Sequence, residues 1–410
     1  MTFWAPEMVG SWQRRRPGTR VLRTPAYTYL ISPEHNAEVF ARSEEFSWWK
    51  AFGLLEPIDG RTSVILSDGE EHASRRRLMQ PAFHRRRVET YVSAFVQIAD
   101  DMIGAWTAGQ TIDLYAEVKN ALRRATLRTL FGPLATDDDM IAPAINELIA
   151  MGGTTSVMNL RRRLLTPGWR RGLAARDQLV ERISPETARV RADGPEGDSV
   201  LHDLVHGRDV DGRALTDEEI VDQVITLIIA GHETTSAALS WAVYLLLTNP
   251  DAYAAARAEV RDVLGAEAPV AADLTRLAYL GRVVQESLRV GTPVTIFPRT
   301  TVRDIDVAGD RIPADTLVIL CPYLIHRTRT SGPSHCGSAP NDGTRTTPPT
   351  GRPSRGRTCR SAAAPTAASG RRWPPPRSPS SWHGCSPAPA STCRSSAYGR
   401  PGSSPPGRRP

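Results

Sequence analysis

Arg327 divides the sequence into a part that can bury a core and a part that cannot. From Arg327 to the end, 84 residues hold 16 Pro, 10 Gly and 14 Arg, but no Leu, Ile, Val, Met, Phe, Lys or Glu. Ordering each residue's backbone costs roughly 1–2 kcal/mol, and this stretch has almost nothing apolar to offset that cost. Residues 327–410 therefore read as a disordered Pro/Arg/Ser-rich tail. Any fold must be completed within residues 1–326, which are enough for one large or two ordinary domains.

Charge and cysteine divide at the same place. Of the formal net charge of +7, the tail supplies +13 (14 Arg against Asp342) and residues 1–326 supply −6, so the basic balance says nothing about the folded part. Cys336, Cys359, Cys385 and Cys393 lie in the tail, which leaves Cys321 in the body. One thiol in 326 residues argues against a disulfide framework and points to a reducing cytoplasm. The N-terminal stretch has Trp4, Trp12 and Arg14–Arg16 without a continuous apolar run, so neither a signal peptide nor a membrane anchor is expected.

Periodicity predicts helices over Arg85–Trp106, Leu114–Leu130 and Asp251–Leu264, with short β-like pieces at Thr24–Ile31 and Thr300–Leu320. The breakers Pro167, Gly168, Pro185, Gly194, Pro195 and Gly197 suggest that Leu160–Asp211 is two helices with mobile connections. That stretch reads as a lid or, more simply, as a surface connection.

Thr216-Asp217-Glu218-Glu219 has the spacing of a capping box and starts a helix that stays apolar through Leu247 and stops at Asn249-Pro250. In its middle stands Ala230-Gly231-His232-Glu233-Thr234-Thr235. An acid and two hydroxyls among Ile228, Ile229, Ala237, Ala238 and Leu239 are costly to bury without partners. The adjacent glycine would let the helix open locally, as helices do at functional sites. A solvent-facing polar turn is the alternative.

On a second predicted helix, Leu274–Val290, Glu286 and Arg289 share one face at i, i+3 and can pair, a pattern common on surface helices. His72 and Arg76 share another face at i, i+4, and Arg299 follows Pro298 in an extended segment. Three such cations could hold a pair of carboxylates, although singly each is more often a solvated surface group.

In this order the motifs resemble cytochrome P-450 monooxygenases. The resemblance rests on Ala230-Gly231-x-Glu233-Thr234 on a long helix, then Glu286-x-x-Arg289, then Pro298-Arg299, and a β-segment ending Tyr323-Leu324-Ile325-His326-Arg327. Leu66–His72 followed by Leu78-Met79-Gln80-Pro81-Ala82-Phe83 is similar to the family's haem-propionate helix, and together these cover about residues 20–327.

The resemblance implies a mainly α fold with a small β-region, its C-terminal part missing. It implies a haem cofactor, with His72, Arg76 and Arg299 on the propionates and Ala230 and Gly231 against the haem where O₂ binds. Glu233 and Thr234 would be the acid and alcohol that deliver protons for O–O cleavage, while Glu286 and Arg289 would be structural. A small apolar substrate and electrons from NAD(P)H through a ferredoxin and ferredoxin reductase are implied as well. The protein would be a cytoplasmic monomer with no membrane segment and no specific nucleic-acid partner.

The family's iron is held by a cysteine thiolate in a loop reading Phe-x-x-Gly-x-x-x-Cys-x-Gly. No segment here reads so: Cys359 and Cys385 lack the Phe and Gly, and Cys321 is on the wrong element. A one-nucleotide displacement accounts for the loss. If each original codon is the third base of one written codon plus the first two of the next, the junctions Arg360/Ser361 to Ser369/Gly370 can read Phe-Gly-Gly-Gly-Pro-His-Arg-Cys-Ile-Gly. The lost cysteine then spans Ala367 and Ala368.

The same displacement turns His326–Gly343 into His-Arg-Asp-Pro-Asp-Leu-Trp-Pro-Glu-Pro-Leu-Arg-Phe-Arg-Pro-Glu-Arg-Trp, similar to the family's segment before that loop. A chain so displaced is expected to be inactive. The rival expectation is a haem-free remnant whose basic tail binds nucleic acid non-specifically.

Overall fold

Thr216 caps the helix on which the rest of the fold is arranged. Its Oγ1 accepts from the Glu219 backbone N–H at 3.2 Å, and the Glu219 carboxylate accepts from the Thr216 N–H at 3.0 Å. Three acids in the first turn complement the helix dipole. The structure, a computed structural model, describes residues 9–10, 19–132, 138–152, 155–194, 196–209 and 211–327. These fall in the first of two compact units, residues 1–371; the second, residues 372–410, lies outside the described residues. So do the expectations placed on residues beyond Arg327, including the tail's disorder and its four cysteines, and on Trp4, Trp12 and Arg14–Arg16.

In chain order the helices are α1 (Pro33–Ala41), α2 (Trp49–Phe52), α3 (Glu56–Asp59), α4 (Gly69–Met79), α5 (Arg85–Gly104), α6 (Leu114–Phe131) and α7 (Asp138–Met151). They continue as α8 (Thr155–Leu164), α9 (Pro167–Asp193), α10 (Val200–His206), α11 (Asp217–Leu247), α12 (Pro250–Leu264), α13 (Ala278–Val290) and α14 (Pro322–Ile325). The strands are β1 (Val21–Arg23), β2 (Thr28–Leu30), β3 (Phe46–Ser47), β4 (Phe297–Thr301), β5 (Ile305–Val307), β6 (Asp310–Ile312) and β7 (Leu317–Leu320). The fold is mainly α with a small β-region, as expected. One sheet has the order β1-β2-β7-β4-β3, with β2 parallel to β7 and the other pairs antiparallel, while β5 and β6 form a separate hairpin.

α11 is 31 residues long, about 46 Å at 1.5 Å per residue, and packs mainly against α6, α9 and α13. The main apolar cluster joins α7, α9 and α10 to the first half of α11 through Ile145, Leu148, Leu179, Ile183, Leu201, Ile220 and Val224.

Three sequence expectations are corrected. Beyond the end of α8 the segment Leu160–Asp211 holds two helices, α9 and α10, but Pro185 is not a break, because α9 runs unbroken through it. An internal proline costs a helix about 3 kcal/mol, but α9 buries Trp169, Ala175, Leu179, Ile183 and Val190, largely against α7, and that burial outweighs the lost hydrogen bond. The helix expected from Leu274 begins at Ala278, where the Glu259 carboxylate of α12 accepts from the N–H groups of Tyr279 and Leu280 at 2.6 and 2.8 Å. Of the two β-like pieces, Thr24–Ile31 holds only β2, with β1 just before it, and Thr300–Leu320 holds the end of β4 followed by β5, β6 and β7.

Candidate active site

α11 stays α-helical through Ala230–Thr235, so the local opening expected beside Gly231 does not occur. A Cβ at Gly231 would stand 3.7 Å from Thr126 Oγ1 of α6, an ordinary contact, so packing on α6 does not demand the glycine. Ala230, next to it, is exposed on the open side of the helix. Thr234 Oγ1 donates to the Ala230 carbonyl at 2.6 Å, the usual way a mid-helix threonine satisfies its hydroxyl.

Glu233 turns to the other side and is not part of a solvent-facing turn. Its carboxylate accepts from Tyr115 Oη at 2.6 Å and pairs with Lys119 Nζ at 2.5 Å, both on α6. Burial pushes this carboxyl up, but the Lys119 and Tyr115 hydrogen bonds outweigh it and hold it below the usual glutamate value. Tyr115 is pushed up to about 12, by burial and then by donating to that carboxylate. His232 is buried, and its ring is held below the usual histidine value by burial and by the Lys119 charge. Spacing within α11 could not reveal Lys119 or Tyr115, because they reach Glu233 from another helix.

His72 and Arg299 are brought together around a residue the sequence did not single out. The Arg299 guanidinium carbon lies 3.3 Å from the centroid of the Trp48 ring, and the His72 ring stacks on the same indole at 5.4 Å. Phe52 stacks on Trp48 as well. The backbone N–H groups of Trp48 and Trp49 donate to Asp68 Oδ1, and Ser47 Oγ donates to Asp68 Oδ2, so the acid that precedes α4 fixes the start of α2.

Arg299 is 3 % exposed, not a solvated surface group as a lone arginine usually is. Among the described residues no carboxylate lies within ion-pair distance of it; its hydrogen bond is to the Pro298 carbonyl at 2.6 Å. Burial pushes this guanidinium down to about 10, with Asp68 opposing. Burial also lowers His72, joined by the charge of Arg76, which is exposed one turn further along α4. A buried cation with no anion is costly, so this corner suits an anionic group such as a haem propionate. The iron ligand is another matter. Cys321, the cysteine among the described residues, is fully buried in the cluster of Tyr29, Ile319 and Leu324 at the sheet.

Glu286 and Arg289 pair through two hydrogen bonds of 2.8 and 2.5 Å, and Arg289 Nη1 also donates to the His326 carbonyl at 2.5 Å. The pair ties α13 to the last described turn of the chain. Among the described residues no helix is long and apolar enough to cross a membrane.

The comparisons agree with this arrangement. Residues 19–331 match the cytochrome P450 family. A protein described as cytochrome P450 139 of Mycobacterium tuberculosis is 41 % identical over 303 residues, covering 73 % of this chain and 70 % of the relative. Cyclooctatin synthase of Streptomyces melanosporofaciens is 38 % identical over 285 residues, covering 66 % of this chain and 60 % of the relative. Pentalenene oxygenase of Streptomyces avermitilis is 34 % identical over 265 residues, covering 63 % of this chain and 58 % of the relative. The retinoic acid-bound cyanobacterial CYP120A1 superposes with a TM-score of 0.67 at 22 % identity, covering 77 % of this chain and 72 % of that chain, which shows the fold alone. With a match this long and the motifs on the helices where they were expected, the chain belongs to the cytochrome P450 family of haem-dependent monooxygenases.

Proposed function

We propose that the gene's undisplaced product hydroxylates a small apolar substrate with O₂ and electrons from NAD(P)H, delivered by a ferredoxin and its reductase, and that the chain as written does not turn over. Two streptomycete relatives are named for oxygenating cyclooctatin-type and pentalenene skeletons. We infer a hydrocarbon-rich substrate of that class. The observation that carries the reading is Arg299, a buried cation with no carboxylate partner among the described residues, sharing the Trp48 indole with His72.

Haem, when bound, supplies the oxygen activation, and the chain's own residues do the rest. Arg299, His72 and Arg76 hold its propionates. Ala230 and Gly231 leave room beside it. Glu233, kept ionised by Lys119 and Tyr115, holds a proton-accepting charge at the helix. Thr234 has its own hydrogen committed to the Ala230 carbonyl, so its oxygen lone pairs accept from a proton carrier on the open side. Glu286 and Arg289 hold α13 against the chain leading to the ligand loop. That loop is lost through the single-nucleotide displacement near Arg327.

The test compares the chain as written with one whose frame is restored near the codon for Arg327. The restored protein is expected to take up one haem and give the family's thiolate-type band when reduced under CO; the chain as written is expected to give neither. Stoichiometric haem and that band in the chain as written would overturn the inactivity. A restored protein that still refuses haem sinks the displacement. Salt-sensitive nucleic-acid binding by a haem-free chain, in either form, would favour the remnant with a basic tail.

A further inference from the structure

The junction of α8 and α9 carries a surface that the site described above does not use. From Leu148 to Arg176 the chain holds six arginines and no acidic residue. Arg171 pairs with Glu147 at 3.1 Å and Arg176 with Asp222 at 2.5 Å. Arg162, Arg163 and Arg170 are exposed, and among the described residues no carboxylate pairs with them. Three leucines stand among these charges: Leu160 is 57 % exposed, Leu164 62 % and Leu165 51 %. Leu160 and Leu164 share a face of α8 at i, i+4, while Met158 of the same helix is buried in the main apolar cluster.

Leu165 is the telling member. α8 ends in a Schellman motif, in which the Thr166 N–H donates to the Arg161 carbonyl and the Leu165 N–H to the Arg162 carbonyl, both at 3.2 Å. The motif puts Leu165 at φ +45°, the left-handed region that glycine adopts freely and a leucine does not. Burial does not offset that cost, because half of the side chain is in water. The base beneath is firm. Trp169 is 2 % exposed, Arg170 Nε donates to the Leu165 carbonyl at 2.9 Å, and Arg161 Nη1 donates to the Ala150 and Gly152 carbonyls at 3.1 and 3.3 Å. The leucines are thus presented on a preformed support.

Leucines ringed by arginines match the boundary between water and an anionic bilayer. The aliphatic side chains can enter the acyl region while the guanidinium groups stay level with the phosphates. Each basic side chain near such a surface adds attraction, and no acid within this stretch opposes it. Nucleic acid would meet the same charges, but its bases stack on aromatic rings, and the side chains exposed between these arginines are aliphatic.

We propose that the end of α8 and the start of α9 dock the protein peripherally on anionic phospholipid bilayers, with Leu160, Leu164 and Leu165 inserted and Arg162, Arg163 and Arg170 on the lipid phosphates. Such a contact needs no crossing helix. It goes beyond the proposed reaction and stands whether or not the frame is displaced, because every residue involved precedes Arg327.

The test mixes the full chain as written with vesicles of phosphatidylglycerol and phosphatidylcholine in equal parts, and with vesicles of phosphatidylcholine alone. Co-sedimentation measures partitioning, and amide hydrogen exchange locates the contact, which matters because the tail has 14 Arg of its own. Residues 159–171 are expected to gain protection on the mixed vesicles, to lose it as salt rises, and to show none on phosphatidylcholine. Leu160→Ser with Leu164→Ser should weaken partitioning about tenfold and remove that protection. Leu165→Gly should weaken partitioning too, yet raise the urea midpoint by relieving the left-handed leucine, a divergence that a merely structural residue would not give. Protection confined to residues 327–410, or partitioning unchanged in the leucine variants, makes the tail the whole contact and overturns the proposal. Protection of residues 159–171 by duplex DNA but not by vesicles, or by raised protein concentration alone, shows a nucleic acid or a second copy as the occupant and overturns it as well.

Discussion

The two halves of α11 are equally apolar in sequence and unlike in surroundings. From Glu219 to Thr226 no residue is more than 5 % exposed. Even the polar ones are satisfied there: Asp222 accepts from Thr62 N–H and Oγ1 at 2.9 and 2.7 Å and pairs with Arg176, and Gln223 bonds to Val64 N–H and the Thr62 carbonyl. Beyond Ile229, Ala230 and Thr235 are exposed, Leu239 is 41 % exposed, Tyr244 38 % and Leu247 65 %. A helix does not choose its burial; its neighbours do. The described residues supply the neighbours the first half needs and leave the open faces of the second half uncovered. The break in the sequence at Arg327 thus has a counterpart in the fold about a hundred residues earlier.

The largest expected effect tests this contrast directly. Ile225 is fully buried, and Ile225→Ala should destabilise the chain by about 2–5 kcal/mol, the lost transfer energy plus a cavity. Leu239→Ala should cost less than about 1 kcal/mol in the chain as written, because water already reaches much of that side chain. Urea unfolding midpoints at constant slope read both. Similar costs for the two substitutions in the chain as written would break the comparison.

The next effect concerns the buried half alone. Asp59 of α3 is 4 % exposed and sits by Asp222, so burial and then the Asp222 charge push its carboxyl up from 3.8 to about 7. The folded state therefore holds a proton that the unfolded state releases above about pH 4. Stability from this group is intact below pH 4 and falls as pH rises from there to about 7, by up to about 1.4 kcal/mol per unit. Asp59→Asn removes that slope, so the variant should gain on the parent steadily between pH 4 and 7 in thermal melts. A constant difference across that range would show that Asp59 is ionised throughout. Gly60 is part of the same joint: its φ of +84° and a Cβ position 1.9 Å from Asp222 Oδ1 leave no room for a side chain.

What could be read from the sequence follows a physical rule. Features carried by one helix were legible: the Thr216/Glu219 cap, the Glu286/Arg289 pair, and the Ala230–Thr235 cluster all depend on spacing of three to five residues. Features made by two distant segments were not. Lys119 and Tyr115 reach Glu233, Asp59 meets Asp222, and Glu259 caps α13 only once the chain has folded. Pro185 misled for the same reason, since the burial that outweighs it comes from α7. Trp48 had no local pattern that could point to Arg299, which reaches it from β4.

Trp48 gives a smaller effect on the site's other wall. Its indole is the principal contact of the buried Arg299 guanidinium, an arrangement worth about 1–2 kcal/mol when desolvated. Trp48→Leu should cost about that much, and Trp48→Phe should restore part of it. The His72 ring, freed from stacking, should also shift its proton resonances, which two-dimensional NMR detects. A Trp48→Leu variant with parental stability and unmoved His72 signals would show that the shelf is incidental.

The smallest stability effect is expected where the proposed functional effect is largest. Thr234 faces the open side of α11, and its hydroxyl bonds only to the helix's own Ala230 carbonyl. That bond competes with the backbone and adds little, so Thr234→Ala should change stability by less than about 0.5 kcal/mol in the chain as written. In the frame-restored protein the same change removes the group that orients a proton donor toward the haem face while leaving Glu233, Lys119 and Tyr115 in place. Haem uptake should be unaffected, because none of the residues assigned to the propionates is touched. NAD(P)H should still be consumed, but as hydrogen peroxide release in place of hydroxylated product. Product formed per NAD(P)H consumed is the measurement: a ratio unchanged from the parent would remove Thr234 from proton delivery, and a loss of haem would show that it holds the site together instead.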